Sequence, residues 1–115
     1  MIEKKDDRRR FDRLDLHADL SYQLRGQAAE PSKAVTNNVS AGGVALNVDK
    51  FIPVSTLLNI DINLMPRVLS FIGQVAWCQG LSHSDRFRIG VEFLGVDPAE
   101  RDFLQDYIKM QTGEL

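Results

Sequence analysis

The chain has 115 residues, of which 43% are hydrophobic and 26% charged, so it can form one compact core but has no room for a second catalytic domain. With 8% aromatic residues and eight glycines, the composition excludes collagen-like, low-complexity and wholly disordered proteins. The formal net charge of -2 argues against a surface built throughout for nucleic acid, so an anion-binding site must be local.

Two features of the sequence indicate a cytoplasmic protein. No apolar run approaches the roughly 18 residues of a membrane-spanning helix, and residues 1–13 are too polar for a secretory signal. Cys78 is the single cysteine, so it offers neither an internal disulfide nor a pair of metal ligands. We therefore expect a reducing compartment and no metal site.

Charge is unevenly distributed along the chain. Residues 1–13 contain six Lys or Arg and four Asp or Glu, a net charge of +2, which leaves -4 for residues 14–115. No apolar periodicity occurs before Phe11. We therefore expect a flexible basic arm over 1–13, attached to an acidic globular domain over 14–115.

The domain begins with strict alternation of apolar and polar residues from Leu14 to Leu24, which predicts a half-buried strand. Similar segments follow, separated by turn-forming residues, at 33–39, 44–48, 58–64, 67–78 and 87–93. In the segment 67–78 every second residue up to and including Trp77 is predicted to lie on the same face of the strand. Six short, half-polar strands favour a small antiparallel barrel or sandwich, in which closure also hides the strand edges.

The end of the chain changes to helical periodicity. Asp97 is a suitable N-cap, Pro98 suits the first helical position and Glu100 the third. We expect a helix over about 98–111 that ends near Gly113. Its apolar stripe, which should pack on the domain, consists of Phe103, Leu104, Tyr107 and Ile108.

Catalytic signatures are absent from the sequence. It contains no nucleophile elbow, no phosphate-binding loop of the Walker type and no paired metal-ligand spacing. His17 and His83 are best interpreted as surface residues, and Cys78 as a small packing residue. We therefore predict that the protein is not an enzyme and needs no cofactor.

Two local patterns could carry a binding function. The first is the run from Arg8 to Arg13, whose arginines can bind phosphate with a planar fork, or can simply form a solvated charged arm. The second is Asn38-Val39-Ser40-Ala41-Gly42-Gly43, which places two polar side chains on one face before a pair of glycines. Glycines permit close approach to the backbone, but a plain hairpin turn would also explain them.

Together these patterns resemble the two-part signature of the PilZ domain family. Arg9-x-x-x-Arg13 precedes the first strand, and Asn38-x-Ser40-x-x-Gly43 lies between two later strands. Gly73-x-Val75-x-Trp77, Gly90-Val91-Glu92-Phe93 and the terminal helix follow in the family's order. The resemblance implies a six-stranded antiparallel β-barrel of the split-barrel type that binds the bacterial second messenger cyclic di-GMP.

The resemblance also suggests a role for each motif residue. Arg9 and Arg13 match the arginines that grip guanine and phosphate, and Arg8 matches a basic residue that often precedes them. Asn38 and Ser40 match the polar pair on the other side of the ligand, and Gly43 the glycine that keeps the site open. Two further candidate contacts are Arg10, for a phosphate, and Trp77, which either stacks on a base or belongs to the core.

The resemblance implies a receptor that changes conformation on binding and signals to a protein partner, for example in motility or biofilm regulation, without DNA, RNA or membrane insertion. One alternative is an adaptor with the same fold that binds only protein. A less favoured alternative is a small nucleic-acid-binding barrel, because the body is acidic and its aromatic residues fall mostly in the core phase.

Overall fold

The fold was analysed in a computed structural model, which describes residues 14–28 and 30–113. Its elements are β1 (Asp19–Leu24), β2 (Ser32–Ser40), β3 (Gly43–Val48), β4 (Leu57–Asn63), β5 (Val68–Gly80), β6 (Phe87–Leu94) and α1 (Pro98–Thr112). The strands pair antiparallel and close into a barrel in the order β1-β2-β3-β6-β5-β4. The predicted all-β barrel with a C-terminal helix is confirmed.

The barrel core is formed by the inward-facing residues of all six strands. Alternation along β4 and β6 buries Leu58 and Ile89 completely, as the sequence pattern predicts. In the centre, the rings of Phe71 and Phe93 stack with centroids 4.2 Å apart. Gly73 leaves the space beside them that the side chain of Val91 fills.

Helix α1 begins and ends at the predicted signals. Asp97 is its N-cap and accepts a hydrogen bond from the Ala99 amide, and Gly113 is its left-handed C-cap with a φ of 80°. Leu104 and Ile108 are buried, so the predicted apolar stripe packs on the core. Among the described residues, no helix is both long and apolar enough to cross a bilayer.

The side chain of Thr36 joins β2 to the segment that precedes β1. Leu14 pairs with Val39, and Asp19 pairs with Val35. Asp19 is five residues after Leu14, but Val35 is only four residues before Val39, so the two segments are offset by one residue. In this gap the Thr36 hydroxyl accepts a hydrogen bond from the Ala18 amide at 2.9 Å and donates one to the Leu16 carbonyl. This is why regular pairing of β1 starts at Asp19 although the predicted alternation starts at Leu14.

We predict that Thr36→Val lowers the free energy of unfolding by about 1–3 kcal/mol, because the nearly isosteric valine leaves the amide of Ala18 without its buried acceptor. The measurement is urea unfolding followed by circular dichroism. Thr56→Val is the matched control, since the Thr56 hydroxyl makes no hydrogen bond within the described part of the chain. Equal stabilities of the two variants would contradict this role of Thr36.

Candidate functional site

The polar residues at the end of β2 point to the outside of the barrel. Val39 is fully buried, so Asn38 and Ser40 on either side of it face outward together. The pairs Thr36–Leu46 and Asn38–Ala45 show that Asn37 is an additional, bulged residue. The predicted placement of Asn38 and Ser40 on one face is therefore correct, because the bulge precedes both.

Ser40 and Asn38 differ in their hydrogen bonding. The Ser40 hydroxyl accepts a hydrogen bond from the Gly42 amide at 3.1 Å and donates one to the Gly43 carbonyl at 3.4 Å, so it stabilises the turn into β3. The Asn38 side chain makes no hydrogen bond to the described residues and is partly exposed. Its amide is therefore available to a ligand as both donor and acceptor.

Gly43 has a reason to be glycine that differs from the one expected. A β-carbon at this position would overlap the carbonyl oxygen of Val91 in β6. The sequence had suggested that this glycine keeps space for a ligand, but the structure fills that space with the backbone of β6. Gly43 therefore allows β3 and β6 to approach closely beside Ser40.

Four outward residues form one row across the barrel. Asn38 pairs with Ala45, Ala45 with Gly90, and Gly90 with Trp77, which links β2, β3, β6 and β5. The two central residues are the smallest in the row, and both are buried beneath their neighbours. The row is therefore a strip of two small, buried residues between a polar amide and an indole.

Trp77 lies on this outer face because β5 has its own bulge. The pairs change from Val75–Val91 to Trp77–Gly90, so Ala76 is the extra residue and the phase of the strand reverses after it. Trp77 is 41% exposed, whereas Cys78 packs against the core in its place. The prediction that a single phase runs through to Trp77 is wrong, and Trp77 is not a core residue.

The indole of Trp77 lies directly on Gly90. A β-carbon at Gly90 would overlap three atoms of the indole, including Nε1. The glycine therefore lets the ring lie flat against the sheet, with its other face exposed to solvent. An exposed, supported aromatic face is suitable for stacking on a nucleobase.

The arginines predicted for the site, Arg8, Arg9, Arg10 and Arg13, lie outside the described residues. The described chain begins at Leu14, whose backbone exchanges two hydrogen bonds of 2.9 Å with Val39. This contact fixes the start of the domain between Asn38 and Ser40. The structure thus places Asn38, Ser40 and Gly43 beside the point where residue 13 is attached, and Trp77 on the outer surface three strands away.

Arg88 and Asn47 share this outer face and were missed at the sequence level. Arg88 follows the outward phase of β6, two residues before Gly90, and its Nε donates a hydrogen bond of 3.0 Å to Asn47 Oδ1. The two residues are paired between β3 and β6. Alternation alone could have placed each of them outward, but not next to each other.

Two other grooves on the barrel are less suited to an anionic ligand. One, of about 340 Å³, lies between β4, β5 and the start of α1 and is lined by Asp61, Asp97 and Glu100. The other, of about 420 Å³, contains Asp19 and Asp61 with one cationic side chain, Lys33. Carboxylates dominate both grooves, so the face with Asn38 and Trp77 is the better candidate.

The described residues offer little for acid–base or metal chemistry. His17 and His83 are exposed, as predicted, and the His17 ring contacts the Thr36 carbonyl through Nδ1 at 3.0 Å. Within the described ranges, no three His, Cys, Asp or Glu side chains cluster as metal ligands would. The arrangement fits recognition of a ligand by stacking and hydrogen bonds.

The sequence matches the family model described as PilZ domain over residues 7–110, which includes all four arginines of the arm and most of the globular domain. Among curated proteins, no sequence matches the chain. The match at the level of sequence is therefore to the family and not to an individual relative.

Solved structures of the same fold are similar over nearly all of this chain. The inhibitor of motility MotI/DgrA from Bacillus subtilis is 20% identical with a TM-score of 0.82, and the match covers 95% of this chain and 53% of that one. YcgR from Escherichia coli in complex with c-di-GMP is 19% identical with a TM-score of 0.77, and the match covers 93% and 47%. The MrkH–c-di-GMP complex from K. pneumonia is 19% identical with a TM-score of 0.72, covering 92% and 53%. This chain thus spans about half the length of these proteins, and at such identities the similarity shows the fold.

We predict that Gly90→Ala displaces the indole of Trp77, because the added methyl group needs the volume that the ring occupies. The expected loss of stability is about 1–3 kcal/mol. Trp77 is the only tryptophan, so its fluorescence reports the movement directly, as a red shift of the emission maximum.

Gly80→Ala is the matched control for this experiment, since the nearest atoms to a β-carbon there are 3.9 Å away in the ring of Phe87. It should leave the emission of Trp77 unchanged. An unchanged emission spectrum in Gly90→Ala as well would contradict the packing of Trp77 on Gly90.

Proposed function

Because the chain belongs to the PilZ domain family, we propose that it is a receptor for cyclic di-GMP that acts by binding and not by catalysis. One observation carries the proposal: the Arg9-x-x-x-Arg13 motif ends one residue before Leu14, and Leu14 is paired with Val39 between Asn38 and Ser40. In the proposed receptor the two halves of the motif meet at this place on the barrel. Two of the structural neighbours are themselves complexes with c-di-GMP.

Covalent geometry limits how far the motif arginines can lie from this place. Consecutive Cα atoms are about 3.8 Å apart, so Arg13 is next to Leu14 whatever its conformation. Arg9 lies five residues before Leu14, which corresponds to at most about 18 Å of extended chain. Both arginines can reach the face that carries Asn38 and Ser40.

The chemistry of the ligand matches the residues assigned to it. Cyclic di-GMP carries two phosphates, which require cationic donors, and two guanines whose O6 and N7 atoms suit the fork of an arginine. In the proposed complex Arg9 and Arg13 bind phosphate and guanine. Asn38 donates and accepts hydrogen bonds on the opposite side of the ligand. Arg8 and Arg10 add positive charge from the arm.

Trp77 supplies the remaining interaction in the proposed complex. Its indole is exposed on one face and supported by Gly90 on the other, so a guanine can stack on it without displacing a side chain. Between Trp77 and Asn38 the row contains only the small residues Ala45 and Gly90, and the indole covers Gly90. The site would thus bind the guanine by its flat face and its polar edge together.

Signal output from this receptor would require a change of surface. We propose that residues 1–13 fold across the barrel face when the arginines bind the ligand, and that a protein effector recognises the new surface. The comparison proteins include an inhibitor of motility and a c-di-GMP-dependent transcription regulatory factor.

Calorimetric titration of cyclic di-GMP tests the receptor function. Charge-assisted hydrogen bonds contribute about 1.5–3 kcal/mol each, so Arg9→Ala and Arg13→Ala should each lower the affinity by about tenfold to a hundredfold. Arg25→Ala, at an exposed turn remote from this face, is the control and should bind like the wild type. Absence of saturable binding by the wild type would overturn the proposal and favour a protein-binding adaptor.

Amide hydrogen exchange tests the folding of the arm. Residues 4–13 should exchange more slowly with saturating cyclic di-GMP than without it, while the core strands β4 and β6 remain unchanged. Equal exchange of residues 4–13 in both states would show that binding does not order this segment.

A further inference from the structure

We propose a second anion-binding position on the barrel, formed by Arg88 and Asn47, that holds a phosphate of the bound dinucleotide. The inference rests on the proposed function, since it assigns two further residues to the same ligand. Neither residue belongs to the arginine motif or to the Asn38–Gly43 segment. The position lies on the described barrel and is independent of the arm.

The contacts of Arg88 among the described residues leave its positive charge without a neutralising partner. Arg88 is partly buried, and among the described residues its guanidinium contacts only the neutral amide of Asn47. Arg86, two residues earlier, instead pairs with Asp49 at 3.1 Å. A guanidinium has five N–H donors, and the contact with Asn47 uses only the one on Nε. Four donors of Arg88 thus bind no carboxylate among residues 14–28 and 30–113.

The orientation of Asn47 strengthens the same conclusion. Its Oδ1 accepts the hydrogen bond from Arg88 Nε, so the exposed group of its amide is the Nδ2 donor. Among the described residues, Arg88 and Asn47 therefore have six N–H donors without a partner: four on the guanidinium and two on Nδ2. A cluster of adjacent donors of this kind is complementary to a phosphate.

The location of the pair connects it to the proposed ligand site. Arg88 precedes Gly90 by two residues on β6, and Asn47 follows Ala45 by two residues on β3. Two residues along a strand span about 6.6 Å, so the pair lies immediately beside the strip between Asn38 and Trp77. Two acidic residues flank the pair: Asp49, two residues after Asn47, is bound by Arg86, and Glu92 is four residues from Arg88, or about 13 Å along β6.

The arm and the Arg88–Asn47 pair approach this strip from different sides. The chain enters at Leu14, which pairs with β2, whereas Arg88 lies on β6, on the opposite side of the strip from Ser40 and Gly43. Cyclic di-GMP has two phosphates, so one can be bound by the arm while the other is bound by Arg88. The barrel would then contribute charge as well as a stacking surface.

Charge-specific substitutions test the assignment by titration with cyclic di-GMP. Arg88→Gln keeps donors but removes the charge, and it should weaken binding by about tenfold to a hundredfold. Arg88→Lys keeps the charge and should retain most of the affinity. Arg86→Gln, at the residue that precedes β6, is the matched control and should bind like the wild type.

Asn47→Asp provides a second test that hardly changes the shape of the site. The new carboxylate would pair with Arg88 and repel the phosphate, so the affinity should fall at least as far as in Arg88→Gln. Thermal unfolding of each variant, followed by circular dichroism, shows whether the fold is retained. Binding that is unaffected in the folded Arg88→Gln and Asn47→Asp variants would overturn the inference.

Two other outcomes are informative. Equal losses in Arg88→Lys and Arg88→Gln would show that the positive charge of residue 88 does not determine binding, which would overturn the assignment to a phosphate. No binding by the wild type would overturn the proposed function itself. Failure of the receptor function and failure of the Arg88 site are therefore distinguishable in one series of titrations.

Discussion

The hydroxyl group of Thr36 holds the entry of the chain in place beside the candidate site. The chain before β1 and the end of β2 differ by one residue between their two paired positions, so regular backbone pairing is interrupted between these positions. The Thr36 side chain, which is fully buried, bonds to a backbone donor and a backbone acceptor in this gap. Because of this contact, Leu14 remains paired with Val39 and the arm is attached next to Asn38 and Ser40.

The inner and outer faces of the same strands have different roles in this barrel. Inward residues such as Leu46 and Ile89 form the core, and outward residues such as Asn38, Trp77 and Arg88 form the candidate site. Most substitutions on the outer face should therefore affect binding without unfolding the barrel. The glycines on this face are exceptions, because their lack of a side chain is needed for packing against Val91 and Trp77.

Local signals in the sequence predicted the elements that depend on local interactions. The caps of α1 and the alternation along β4 and β6 are set by neighbouring residues, and the structure agrees with both. The outward placement of Asn38 and Ser40 was also predictable, since the bulge at Asn37 lies before the pair. Side chains along a strand alternate between the two faces only as far as the next bulge, where one extra residue reverses the alternation.

The features that sequence reasoning missed depend on pairing between distant segments. The bulge at Ala76 exists because β5 changes its register against β6, and it turns Trp77 outward against the expected phase. Arg88 and Asn47 are 41 residues apart in the chain and meet only through the register of β3 and β6. Neither property can be read from spacing within one segment.

The contact between Trp77 and Gly90 also constrains how the sequence of this protein can vary. The indole occupies the volume where any side chain at position 90 would begin, so the two positions behave as a single unit. Enlarging residue 90 is compatible with the barrel only if residue 77 becomes smaller in the same lineage. In an alignment of relatives, these two positions should therefore covary, and the aromatic residue should occur together with the glycine.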